Sequence, residues 1–175
     1  MKSEHMTSLS GNRMVPKTHG RIVFRGLIDT LEAEVIEAQV LASERGNAEL
    51  CANLGEVLAY LREIMAAEVK ETPLPPPRLF GMDAEEIHRR SHNTEGFQVP
   101  LEAMLLPEAM LPTYTQGALA ARINTIRAKV REAELHAVKV FGPGEEEERG
   151  DIILALNRLS SALWCLFCQM VLIKA

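Results

Sequence analysis

Between Leu119 and Val140 the apolar residues fall at Leu119, Ile123, Ile126, Val130, Ala133, Ala137 and Val140, in alternating steps of four and three. That spacing puts them on one stripe of an α-helix, which has to be buried against neighbours. The same period returns in Phe24, Ile28, Leu31, Val35, Ala38 and Ala42, in Leu50, Leu54, Val57, Leu61 and Ile64, and in Ile152, Leu156, Leu159, Leu163, Leu166, Met170 and Ile173. Four long helices that each hide one stripe pack side by side, so the expected fold class is all-α, an up-and-down helical bundle.

Local signals place the ends. The first helix is expected over about 21–46, stopped by Gly46, and the second over about 47–69, an antiparallel neighbour because the connection is short. Thr72-Pro73-Leu74-Pro75-Pro76-Pro77 ends the second helix as a rigid extended crossover, since proline lacks the amide donor and restricts the residue before it. Asp83 can cap a short helix from Ala84 to about His92, and a long Gly- and Pro-punctuated connection follows over 93–116. The third long helix, 117–141, stops at Gly142-Pro143-Gly144; after the acidic run Glu145–Glu148, Asp151 can cap the last one, 151–174. Residues 1–20 are polar, with no hydrophobic period, and are expected to form a flexible tail ahead of a bundle domain over 21–175.

Composition narrows the function classes. A net charge of −5 speaks against a general nucleic-acid binder, so any anion site has to be local. Three cysteines and a polar N-terminus without an apolar core fit a reduced, cytoplasmic chain. Leu159 to Ile173 is strongly apolar but, at about 15 residues, short of the roughly 20 that cross a bilayer, so it is expected as a buried helix and no membrane span.

Asn124, Arg127, Arg131 and Glu134 repeat the spacing of the third stripe one residue later, forming a polar column along its border. Arg127 and Arg131 are one turn apart. Like charges at that distance repel modestly, which leaves two readings: pairing with Glu132, Glu134 and other carboxylates on a solvated face, or clamping a di- or triphosphate with forked guanidiniums. Asp29 borders the first stripe in the same way and can orient one arginine; Asn157, with Arg158, Ser160 and Ser161, makes a polar notch in the last helix. His88 and His92 have the spacing of a metal pair without an evident third ligand, and Cys165 and Cys168 lie in the most apolar helix, where packed thiols are expected. No Walker loop, dinucleotide fingerprint, nucleophile elbow or HExxH occurs.

R-A-K-V-R-E-A-E (Arg127 to Glu134) followed by L-N-R-L-S-S (Leu156 to Ser161) resembles the paired C-terminal signatures of the ATP:corrinoid adenosyltransferases. G-R-I-V-F-R-G-L-I-D-T-L-E-A-E (Gly20 to Glu34) and I-H-R-R-S-H (Ile87 to His92) resemble the ethanolamine-utilisation branch in particular. The resemblance implies a five-helix bundle, a homotrimer with sites between subunits, and transfer of the 5'-deoxyadenosyl group of ATP to the cobalt of reduced cobalamin. It implies Arg127 and Arg131 on ATP and its phosphates, Asp29 in a salt bridge holding Arg127, Glu134 and Asn157 in the ligand site, and an adenosylcobalamin-dependent enzyme as recipient. Phe97 or the Met110–Leu111 region stands nearest to the residue that displaces the lower axial ligand of the corrinoid. The glycine- and threonine-containing ATP loop of the better-known branch and the Cys-rich cluster of the ethanolamine-type enzymes are not found in these residues, so no metal ligand is assigned, and Mg or another divalent metal is left open as a companion of ATP. The rival is a non-catalytic corrinoid or nucleotide binder that delivers cofactor.

Overall fold

The computed structural model describes residues 3–92, 111–145 and 148–172. Among them five α-helices form the bundle: α1 Gly20–Glu44, α2 Ala48–Lys70, α3 Ala84–His92, α4 Ala118–Phe141 and α5 Gly150–Leu172. α1 packs on α2 and on α4, α4 on α5, and the short α3 lies against α5. The residues of the first two stripes are all buried; on α4 only Val140 is partly exposed and on α5 only Met170, with Ile173 outside the described residues.

The ends follow the local chemistry. Asn47 caps α2 by accepting from the Leu50 amide at 3.0 Å, and α1 stops where Gly46 turns to φ +67°, a conformation glycine adopts without the Cβ clash. Asp83 Oδ1 accepts from the amides of Glu85 and Glu86 at the start of α3.

Asp151 does more than start α5. One of its oxygens accepts the Leu74 amide at 2.8 Å, drawing in the proline crossover, while Arg149 donates to both oxygens at 3.0 Å and reaches the Thr72 carbonyl at 2.8 Å. Partial burial raises this carboxyl's pKa, but the Arg149 guanidinium and the Leu74 and Ile152 amides outweigh it and hold the group below its ordinary range. A depressed folded pKa adds stability that is complete above the unfolded value of about 3.9 and is lost as pH falls through the folded one. The melting temperature of Asp151→Asn is therefore expected below that of the parent by a constant margin above about pH 5, and the margin closes in more acid buffer. A margin that persists unchanged to pH 2–3 would count against the carboxylate as its source.

Charge also ties α1 to its neighbours. The carboxylate of Glu68, fully buried, receives Arg21 Nε on one oxygen and Arg25 Nε on the other, both at 2.5 Å, and the Glu68 carbonyl receives Arg21 Nη2 at 2.9 Å. Arg122 and Lys129 of α4 both donate to Glu34 of α1, and the Lys129 bond above all keeps that carboxyl below its usual range.

The sequence differs from the structure at the N-terminus. Where the lack of a hydrophobic period suggests a tail over 1–20, β1 Met6–Ser10 and β2 Arg13–Pro16 form an antiparallel hairpin with an irregularity between Ser8 and Ser10. Leu9 and Val15 are its buried side chains. Two buried residues in two short strands are too few to register as an alternation, but Gly11-Asn12, with Gly11 at φ +51°, is a hairpin-turn signal.

α5 is long and apolar enough by composition to cross a membrane. Ile152, Leu156, Leu159, Leu163 and Phe167 are all buried in the bundle, which is how a core helix uses such a sequence.

Candidate anion-binding cleft

α4 and α5 run antiparallel and in step. As residue numbers rise on α4 they fall on α5, so Arg127 faces Trp164, Arg131 shares a wall with Ser160 and Ser161, and Glu134 meets Asn157. The upper two of these levels open into a cleft of about 380 Å³, larger than the hollows of about 180 Å³ by Asn47 and about 230 Å³ by the start of α1. Ser91 and His92 at the end of α3, and Leu111 and Pro112, complete its walls. A cleft of this size accommodates a small-molecule ligand.

The electrostatics are one-sided. Among the described residues no carboxylate lines the cleft. Arg127 is half-buried; its Nε and Nη2 both donate to the neutral Asn124 Oδ1 at 3.1 Å, and its guanidinium lies over the Trp164 indole, 5.3 Å from the ring centroid. Burial, and then the charge of Arg131, lower the pKa of Arg127 from its usual value. Arg131 is exposed and makes no ion pair or side-chain hydrogen bond among the described residues. The solvated-face reading has these arginines pairing with Glu132, Glu134 and other carboxylates, and among the described residues neither arginine has a carboxylate partner. Two cations one turn apart, one partly desolvated, are an arrangement that an anion would suit.

Glu134 and Asn157 close the lower end of the column. Asn157 Nδ2 donates to Glu134 Oε1 at 2.8 Å, and Asn157 Oδ1 accepts from Arg158 Nη1 at 2.5 Å. One amide proton of Asn157 stays available, and Arg158 Nε is a buried donor without a partner among the described residues.

Asp29 stands apart. It is exposed on α1 and makes no hydrogen bond or ion pair among the described residues, so a salt bridge from Asp29 to Arg127 within one chain is absent. On the helical wheel it shares the outer face of α1 with Ile36 and Val40, 43% and 54% exposed. Phe97 lies outside the described residues, as does Met110, while Leu111 lines the cleft.

Periodicity missed Trp164. Its signal was position: the chain's one tryptophan comes three residues after Ser161, on the same side of the helix as the polar notch. His92, read as half of a metal pair, is 4.4 Å from His88 between ring centroids and its Nδ1 is 2.9 Å from the His88 carbonyl oxygen, so that nitrogen carries the proton. No group of three or more His, Cys, Asp or Glu that could hold a metal occurs among the described residues. Burial pushes the Cys165 and Cys168 thiols up to about 11 and about 12, as fits packed, unreactive side chains.

A family model described as "Cobalamin adenosyltransferase" matches residues 2–170. The chain belongs to this family. Among its relatives are the corrinoid adenosyltransferases EutT of Salmonella typhimurium, 33% identical over 164 residues, and of Escherichia coli, 34% identical over the same length. Each match takes in 93% of this chain and 57% of the relative, so the chain spans little more than half the length of the EutT proteins it matches. In fold it is similar to a variant of the PduO-type ATP:corrinoid adenosyltransferase from Lactobacillus reuteri, solved with cobalamin and ATP, at a TM-score of 0.70 and 19% identity, with 96% of this chain and 90% of that chain covered. The cobalamin adenosyltransferase bundle expected from the sequence is thus the fold observed.

Proposed function

We propose that the chain transfers the 5'-deoxyadenosyl group of ATP to the cobalt of a reduced corrinoid, in the ethanolamine-utilisation branch of the family. The observation that carries this reading is the pair Arg127 and Arg131 in a cleft whose described lining offers donors and no carboxylate. Family membership and the EutT relatives support the substrate pair. In the reaction the cobalt(I) of the substrate is the nucleophile: its electron pair forms the bond to the 5'-carbon, and the electrons of the broken C5'–O5' bond leave with triphosphate. No side chain has to attack. The protein's part is to align the 5'-carbon and to stabilise the leaving phosphate chain, which is work for Arg127 and Arg131, with the hydroxyls of Ser160 and Ser161 as further donors and Asn157, held by Glu134, at the end of the column.

Asp29 has a place in this reading if the protein assembles. Each copy carries an exposed Asp29 and an Arg127 without an acidic partner among the described residues, and a homotrimer with sites between subunits would let Asp29 of one copy pair with Arg127 of the next. The protein works in the cytoplasm, and an adenosylcobalamin-dependent enzyme consumes the product.

The assay mixes purified protein with ATP and chemically reduced cobalamin under strict anaerobiosis, with and without added divalent metal, and follows adenosylcobalamin by absorbance. Product formation is the expected result. Tight binding of both substrates without turnover would replace the enzyme with a delivery protein, and binding of neither would remove the site assignment. Sedimentation of the same preparation is expected at the mass of three chains.

A further inference from the structure

Arg127 meets the cleft across the face of an aromatic ring. The Trp164 indole beneath its guanidinium stacks in turn on Phe167, 5.4 Å away and inclined by 15°, and Phe167 is fully buried, so the platform is anchored in the core. From one turn earlier on α4, Asn124 takes Nε and Nη2 on a single oxygen, leaving Nη1 without a partner among the described residues. The indole sets where the guanidinium sits and Asn124 sets how it is turned. Neither carries charge. A carboxylate in either place would orient the arginine equally well but would also neutralise it and compete with an incoming anion, whereas an aromatic face attracts the cation through its quadrupole and leaves the net charge intact.

We propose that Trp164 is a positioning residue: it holds Arg127 ready for the phosphate chain while leaving its full charge to the ligand. The inference rests on the reading of the cleft as an ATP-phosphate site, and it assigns Trp164 no contact with substrate. Ordering the guanidinium before binding removes a cost the ligand would otherwise have to meet.

Calorimetric titration of the full chain with ATP, and separately with inorganic tripolyphosphate, tests it on Trp164→Leu, Trp164→Phe, Arg127→Ala and the Arg127→Ala/Trp164→Leu double variant. Trp164→Leu is expected to weaken ATP binding about tenfold, Trp164→Phe by no more than about threefold, and the double variant to bind as Arg127→Ala alone. A Trp164→Leu affinity within about twofold of the parent, or an equal loss when Arg127 is already absent, overturns the proposal, because packing alone does not depend on the arginine. Trp164 is the chain's one tryptophan, so its emission in the unaltered protein also has to change as phosphate neutralises the cation above it. An unchanged emission at calorimetric saturation likewise overturns the idea, and should Trp164→Leu not fold, this arm and Trp164→Phe decide. Binding of tripolyphosphate without ATP would retire the nucleotide reading yet leave the Trp164 comparison intact on tripolyphosphate; binding of neither removes both.

Discussion

Arg127→Ala is expected to lower kcat/KM for adenosyl transfer by about a hundredfold or more, the scale set by losing a fixed donor to charge that develops on a leaving group. The same change is expected to leave the bundle as stable as before, or slightly more so. What the fold loses is a cation–π contact and two hydrogen bonds to one neutral oxygen; what it gains is relief from a half-buried positive charge next to Arg131. Each of these is worth about 0.5–2 kcal/mol and they have opposite signs, so the melting temperature should stay within about 3 °C of the parent. Calorimetry and the anaerobic assay on one preparation decide it: retained activity, or a melting point lower by 10 °C, would make Arg127 a structural residue.

Glu68→Gln should do the reverse. The carboxylate is the shared counter-charge of Arg21 and Arg25, and glutamine keeps the shape while removing the charge, so a buried and a partly buried guanidinium lose the carboxylate between them. Removing one partner of a buried ion network costs about 3–5 kcal/mol. For a chain of this size that corresponds to a fall of roughly 10 °C in melting temperature, readable by scanning calorimetry. Arg25 is partly exposed and Glu71 also reaches Arg21 at 3.0 Å, which favours the lower end of that range. A fall under about 3 °C would show that water or Glu71 replaces the lost charge. The two substitutions touch arginines of the same chemistry. Whether the charge is answered inside the fold separates the structural ones from the one proposed to meet the ligand.

Sequence periodicity captured what repeats. The long stripes are buried apart from the partly exposed Val140 and Met170, the ends of α1, α2 and α4 agree within two residues, and the Gly and Pro signals stop the helices where they should, because each rests on contacts three or four residues apart or on the local backbone. The arginine column was legible too, as a spacing. Its meaning was not: whether Arg131 meets Glu134 or open cleft depends on Asn157 of a different helix, which claims Glu134 first. Arg21, Arg25 and Glu68 escaped for the same reason, being more than forty positions apart and brought together only when α1 and α2 fold back on each other. Trp164 carries no signal in the periodicity; its place shows only where α4 sets a guanidinium over it. Asp29 is exposed on α1 with no ion pair among the described residues, and a spacing within one chain says nothing of a partner that another copy would supply.

On the proposed reading of the cleft, the protein without its anion is less stable than the protein that holds it. An anion resident between Arg127 and Arg131 adds folding free energy by mass action, about 2.7 kcal/mol when its concentration is a hundred times its dissociation constant. For a chain of this length that is a rise of roughly 5–10 °C. If ATP is that anion, as proposed, nucleotide concentration would set how long the folded bundle resists heat and proteolysis.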